Sequence, residues 1–198
     1  MITRMSPGFF PQLPVALERQ MFYTKNVKEI INKALKTLKA GGVIAFPTET
    51  VFGLGALLSS KKGTKKIYKI KDRPENKPLQ ILVATFDQAI KIGKFNKETR
   101  EFAKFHWPGP YTLLVPAVKG IDKVGIRMPK HKLMLELLKK CGPIVATSAN
   151  TSGMKPIKTS KEVEKCLSGI DYIIPGKAIT GKSSKVIDTT EGFKIVRA

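Results

Sequence analysis

A mixed α/β fold, one twisted sheet of parallel and antiparallel strands flanked by helices, is what the 198-residue sequence predicts. Three observations carry that expectation. Short apolar runs closed by turn residues, such as residues 43–46 and 144–146, read as buried strands. Between them lie segments whose apolar residues recur at helical spacing. Strands and helices also intermix without strict βαβ alternation, which argues against a purely parallel sheet. With 42% hydrophobic residues, the chain is large enough for one core that can hold a rigid site.

The elements follow in order. Asn26 can cap a helix, with Glu29 at the matching capping-box position. Val27, Ile30, Ile31, Ala34, Leu35 and Leu38 then fall on one face, and Gly41 and Gly42 end the helix. Residues 43–46 form a strand stopped by Pro47. The stretch carrying Gly53 and Gly55 reads as turns. Residues 65–71 are helical with Ile67 and Ile70 inward, 79–84 are a strand, and 86–92 and 97–106 are helices. Trp107-Pro108-Gly109-Pro110 breaks the chain before strands at 112–116 and 124–128. A helix at 133–141 stops at Gly142 and Pro143. The strand at 144–146 leads into a polar loop, and Thr159 or Ser160 caps a helix reaching residue 167. Short strands follow near Tyr172, Val186 and Ile195.

No repeat, low-complexity tract or linker divides the chain after residue 25, so residues 24–198 are expected to form one domain. Residues 1–23 read as a loose N-terminal extension, with Met21 as an alternative initiator. The first 20 residues hold three prolines and only Arg4, Glu18 and Arg19 as charges. They lack the basic region and continuous apolar core of a secretory signal. No apolar run reaches the ~20 residues of a membrane span. Cys141 and Cys166 are too few and too far apart for a zinc site or a disulfide framework. Free thiols fit a reducing cytoplasm. The net charge of +21 calls for polyanionic company, and ATP, tRNA and ribosomes all qualify. It is spread along the chain, peaks across residues 61–77, and is equally what a lysine-rich surface looks like.

Two nucleotide motifs fail on context. Residues 176–183 fit G-x-x-x-x-G-K-[ST], but a P-loop must open a helix whose amides hold the phosphates. The β-branched run after Ser184 reads as strand instead. Gly53-Leu54-Gly55 lacks the third glycine of a dinucleotide fingerprint, Leu58 taking its place. No H-E-x-x-H is present, and His106 and His131 have no ligand partners nearby, so no protein metal site is expected.

Four features remain. Thr48, Glu49 and Thr50 lie just past a strand end, where α/β sheets place ligand-binding groups. Lys71 and Arg73 stand two apart before Pro74 and can face one ligand if the backbone is extended. Ser148 and Asn150 repeat that spacing after the strand at 144–146. Ser184-Lys185-Val186-Ile187-Asp188 is the fourth. Singly, each has a plain alternative, as solvated charge or local backbone capping.

Together they carry a resemblance. P-T-E-T-V-x-G-L-G from Pro47, K-x-R-P…P-L from Lys71, W-P-G-P-x-T from Trp107, the run Val124-Gly125-Ile126-Arg127-Met128-Pro129 and the S-x-N pair occur in the order seen in YrdC-type threonylcarbamoyl-AMP synthases. The chain resembles that family from about residue 24 onward. The resemblance implies a YrdC-like sheet with a concave basic groove. It implies synthesis of threonylcarbamoyl-AMP and pyrophosphate from L-threonine, bicarbonate and ATP for tRNA threonylcarbamoyladenosine modification. Lys71, Arg73, Ser148 and Asn150 would be the catalytic, ATP-binding set, with Lys77 and Arg197 as phosphate neighbours. Thr50, Arg127, Ser184 and the backbone at Ala146 would hold L-threonine. Mg²⁺ would arrive with ATP, and a separate threonylcarbamoyl transferase would take the product.

Departures from the family pattern are Phe52, Leu82, Tyr111, and the cations Lys123 and Lys185, both expected near the pocket. Longer relatives add a second domain, whereas these residues match the synthase domain alone. A non-catalytic YrdC-fold protein binding double-stranded or structured RNA is the alternative, with tRNA or double-stranded RNA as the partner to test, and a carbamoyl-transfer module of hydrogenase-maturation type a more distant one.

Overall fold

A computed structural model describes residues 15–198 except 121 and 152. The first helix, α1 (Val15–Lys39), begins well before Asn26, so Asn26 lies inside it rather than at its cap. Between Pro14 and Gly41 the sequence holds neither proline nor glycine. Nothing there breaks a helix, and an asparagine inside one costs only a fraction of a kcal/mol. Of the expected extension, residues 15–23 are therefore helical, and residues 1–14 lie outside the described residues.

After α1 come β1 (Ile44–Phe46), β2 (Gly53–Leu57), α2 (Lys61–Lys71), β3 (Gln80–Leu82), α3 (Phe86–Ile90) and α4 (Lys97–His106). They are followed by β4 (Tyr111–Pro116), β5 (Lys123–Arg127), α5 (Lys132–Cys141), β6 (Ile144–Ser148), α6 (Ser160–Cys166), β7 (Tyr172–Ile173), β8 (Lys185–Asp188) and β9 (Lys194–Arg197). Most boundaries fall within a residue or two of the sequence expectation. Helix α2 starts earlier than expected because the Ser60 hydroxyl accepts the Gly63 amide at 3.0 Å, a cap hidden in a lysine-rich stretch.

The strands form one mixed sheet in the order β7-β1-β2-β6-β3-β5-β4-β8-β9. The pairs β1–β7, β3–β5 and β4–β8 are parallel, and the remaining neighbours are antiparallel. Strands β1, β3 and β6 alternate between two cores, as the period of two requires. Ile44, Phe46, Leu82, Ile144 and Ala146 pack with Ile31, Ala34 and Leu38 of α1 and Met134, Leu137 and Leu138 of α5. Val43, Ala45, Leu54, Ala56, Ile81 and Val145 pack on the other face with Ile67 of α2, Ala103 of α4 and Val163 of α6.

The face that α1 and α5 cover is covered only in part. Leu82 pairs with Arg127, Leu114 with Gly125 and Thr112 with Val186, so these residues continue that same face across β5, β4 and β8. There they line an open cavity instead of a helix interface.

The turn-rich reading of residues 53–57 is corrected to strand β2. Its glycines serve packing. A Cβ at Gly53 would come within 2.6 Å of Phe46 Cε2, and one at Gly55 within 2.9 Å of Cε1, because the Phe46 ring lies across both positions. Gly53→Ala should therefore lower stability by roughly 1–3 kcal/mol by overpacking. Its urea midpoint should fall accordingly, and Phe46→Leu in the same chain should recover part of the loss.

Candidate active site

The open half of the sheet face holds a cavity of about 340 Å³. Its floor is built by Gln80 of β3, Thr112 and Leu114 of β4, Gly125 and Arg127 of β5, and Ala146 and Ser148 of β6. Arg73, Ser184 and Arg197 close in from loops and the last strand, and Lys123 stands at one side.

The two short pairs, distant in sequence, meet through Lys71. This last residue of α2 is only 2% exposed. Its ammonium donates to the Ser148 carbonyl at 2.6 Å, to Asn150 Oδ1 at 3.1 Å and to the Asn150 carbonyl. Three protons thus serve three oxygens of one loop. Asn150 is buried as well, and its amide nitrogen donates to the carbonyls of Thr151 and Met154. Burial, and then the Arg73 charge, lower the Lys71 pKa from 10.5 to about 8. Lys71 and Asn150 hold the Ser148 loop from behind; Arg73 and Ser148 face the cavity. The backbone between Lys71 and Arg73 is not extended, as the sequence suggested. Asp72 adopts the left-handed conformation (φ 48°, ψ 52°) and caps α2, which sends Lys71 inward and Arg73 toward the cavity.

Arg73 is held by its own turn. Its Nε donates to the Lys77 carbonyl and Nη2 to the Pro78 carbonyl, both at 3.1 Å. Lys77 contributes this carbonyl, while its exposed ammonium is not part of the cavity wall. Arg197 donates from Nε and Nη2 to the Ser184 carbonyl at 3.1 and 2.9 Å, and from Nη2 to Ser184 Oγ at 3.1 Å. Its pKa is lowered by burial, then by Arg127 and by Arg73, the mark of cations converging on one space.

Arg127 is 3% exposed. Its Nε donates to the Gly109 carbonyl at 3.2 Å, and Nη2 donates to Glu49 Oε1 at 2.7 Å and Thr50 Oγ1 at 2.8 Å. Burial lowers its pKa while Glu49 opposes that shift. The fork expected for a ligand carboxylate is therefore partly filled from within, and Nη1 is the nitrogen with no hydrogen-bond partner among the described residues. Thr50 Oγ1 also meets Thr48 Oγ1 at 2.8 Å. The loop with P-loop lettering leads into β8, not a helix. Its Ile179, Thr180 and Gly181 amides donate to the Thr48, Glu49 and Thr50 carbonyls and brace that segment.

Of the expected site residues, Arg73, Arg127, Ala146, Ser148, Ser184 and Arg197 line the cavity. Thr50 borders a small pouch beside it, which shares Arg127 and Ser148. Gln80 and Thr112 went unassigned in the sequence, which marks Glu49 only as part of the segment past the strand end. Thr112 Oγ1 donates to Gln80 Oε1 at 2.8 Å and lies 3.0 Å from Ser184 Oγ. The signals were present: Glu49 lies inside P-T-E-T, Thr112 ends W-P-G-P-x-T, and Gln80 follows the P-L dipeptide. Of the two extra cations, Lys123 lines the cavity but pairs with Asp188 at 2.8 Å and Glu191 at 2.9 Å. Lys185 is exposed and alternates with Ser184 and Val186, so it is not a pocket cation, correcting the expectation.

Comparison with known proteins fits this geometry. The Sua5–YciO–YrdC family model, described as "Telomere recombination", matches residues 36–198. The chain belongs to the Sua5–YciO–YrdC family. It is 39% identical to a threonylcarbamoyl-AMP synthase of Pyrococcus abyssi over 84% of this chain and 54% of that protein. A Buchnera aphidicola threonylcarbamoyl-AMP synthase is 36% identical over 78% of this chain and 95% of that protein. The chain thus spans about half the length of the first relative and nearly all of the second. The structure of P. abyssi Sua5 complexed with L-threonine superposes with a TM-score of 0.78 at 37% identity, covering 83% of this chain and 52% of that one. Among the described residues no helix is long and apolar enough to cross a membrane.

Lys71→Met should leave the Ser148 and Asn150 oxygens without their donor and lower stability by roughly 1–3 kcal/mol. Urea unfolding measures that loss, and amide exchange should quicken at residues 148–151 in particular.

Proposed function

We propose that the chain is a threonylcarbamoyl-AMP synthase, joining L-threonine, bicarbonate and ATP into threonylcarbamoyl-AMP and pyrophosphate, with residues 24–198 as the synthase domain. The observation that carries this reading is the convergence of Arg73, Arg127 and Arg197 on one polar cavity whose Ser148 wall is clamped by Lys71. Membership of a family rich in proteins of that name supports it.

The chemistry suits the wall. The threonine amine adds to the bicarbonate carbon with loss of water, giving a carbamate. A carbamate oxygen then attacks the α-phosphate, and the bond to the β-phosphate breaks as pyrophosphate leaves. Negative charge accumulates on phosphate oxygens and the departing pyrophosphate, so fixed cations lower that barrier most. Arg73 and Arg197 are the cavity arginines without a carboxylate partner among the described residues, which supports reading their end as the triphosphate's. Arg127 Nη1, with the hydroxyls of Thr50 and Ser184, suits the amino acid's carboxylate and hydroxyl. Lys71 acts on Ser148 from behind. Mg²⁺ enters with ATP as part of the substrate. Among the described residues no three His, Cys, Asp or Glu side chains gather to cage it. A separate transferase would carry the adenylate's acyl group to tRNA, in the cytoplasm. A purely RNA-binding reading leaves the braced arginines and the buried Lys71 clamp without a purpose.

Arg73→Ala should lower threonine-dependent pyrophosphate release about 100-fold, near 2.7 kcal/mol. An unchanged rate in the folded variant removes Arg73 from the site. The pH profile offers a second check. With its pKa near 8, Lys71 loses a proton in mildly alkaline solution and can then donate to only two of its three acceptors. Activity should decline as pH rises through 8, where an ordinary lysine at 10.5 would hold it steady.

A further inference from the structure

The cations around the cavity differ in how they are balanced. Arg127 carries a carboxylate partner, Glu49, at 2.7 Å, and both are buried. Arg73 and Arg197 meet only neutral carbonyl and hydroxyl oxygens: Lys77 and Pro78 for one, Ser184 for the other. Glu49 is 7% exposed and does not line the cavity, so it does not meet a substrate there. Its second oxygen, Oε2, is buried with no hydrogen-bond partner among the described residues. Arg127 is thus the side chain it bonds among the described residues, while His131, its buried Nδ1 likewise unpartnered, also feels its charge. The position of Glu49 is fixed by the backbone, since the Glu49 carbonyl accepts the Thr180 amide at 3.0 Å and its neighbours are braced in the same way.

A buried, unpaired guanidinium would be a strong magnet for any polyanion entering the cavity. Nothing in the shape of one continuous space would keep a triphosphate from spreading across Arg73, Arg197 and Arg127 together. Pairing Arg127 with Glu49 brings the summed charge of the pair to zero, although Arg197 still feels Arg127, and leaves Nη1 free to donate. A zwitterionic amino acid, itself net neutral, can use those hydrogen bonds without needing an unbalanced positive charge. A polyphosphate gains far less there.

We infer that Glu49 determines specificity by charge. Through Arg127 it makes the amino-acid end of the cavity net neutral, and so confines polyphosphate to Arg73 and Arg197. This rests on the synthase reading above. It adds a positioning residue whose role is exclusion, beyond support for Arg127.

The test measures L-threonine binding by titration calorimetry, with and without saturating inorganic tripolyphosphate. In the wild-type chain, tripolyphosphate should compete with ATP and leave the threonine affinity within about twofold. Glu49→Gln keeps an oxygen to accept from Arg127 Nη2 but removes the charge. In that variant tripolyphosphate should weaken threonine binding about tenfold or more, competitively. Glu49→Asp retains a charge one methylene further back and should fall between the two. It also gives the reading if the glutamine variant does not fold. A merely structural role would weaken threonine equally with and without tripolyphosphate, and that result overturns the inference. Wild-type chain that binds no L-threonine overturns the synthase reading and this one with it. Wild-type binding, with variants indifferent to tripolyphosphate, overturns this one alone.

Discussion

One ammonium group ties the structure together. Lys71 Nζ lies at the junction of helix α2 and the loop after strand β6, and it takes oxygens from both residues of the S-x-N pair. Removing a charge from water is costly, and only dense hydrogen bonding offsets that cost. The three acceptors offset it here, and the loop in turn becomes rigid. Ser148 then presents a fixed wall to the cavity, and Arg73, beyond the left-handed Asp72, a fixed cation. The distance in sequence between Lys71 and Asn150 makes this contact a fold-defining one.

The same sheet face does two jobs because its helical cover is incomplete. Under α1 and α5 it presents Ile44, Phe46 and Leu82 to a dry core. Across β5 and β4 it presents Arg127, Gly125 and Thr112 to the cavity. No break in the sheet separates the two. Leu82 and Arg127 are register partners on adjacent parallel strands, so the core edge and the site edge are one row of side chains. Rigidity gained from packing is passed straight to the cavity wall.

Most elements were legible in the sequence because their signals are local: the apolar period of α4, the Gly142-Pro143 stop, the short run into β6. The misses have two causes, a cross-strand partner that local sequence does not reveal and local signals that compete. Gly53 and Gly55 look like turn residues until the Phe46 ring is seen lying over them. Helix α1 reached further back than its apparent cap because the cap signal at Asn26 competes with an unbroken helical stretch. In the site, motif spacing marked Arg73, Ser148 and Ser184, the family resemblance added Arg127 and Arg197, and all five line one cavity. What spacing could not say was which polar groups face a ligand and which serve other residues. Lys71, Asn150 and the Lys77 carbonyl belong to the second kind, and Glu49 joins them through Arg127.

The segment with P-loop lettering has its own lesson. Its contacts with Thr48, Glu49 and Thr50 run from amide to carbonyl, main chain to main chain. A strap of that sort asks little of the side chains at Ile179 and Thr180 beyond no proline removing a donor, while Gly181, at φ 71°, keeps to glycine. Its two pattern glycines, Gly176 and Gly181, answer to positive φ in the backbone, so the lettering of a nucleotide loop arises here with no phosphate to hold. Such a stretch accumulates misleading words because its meaning is carried by the backbone.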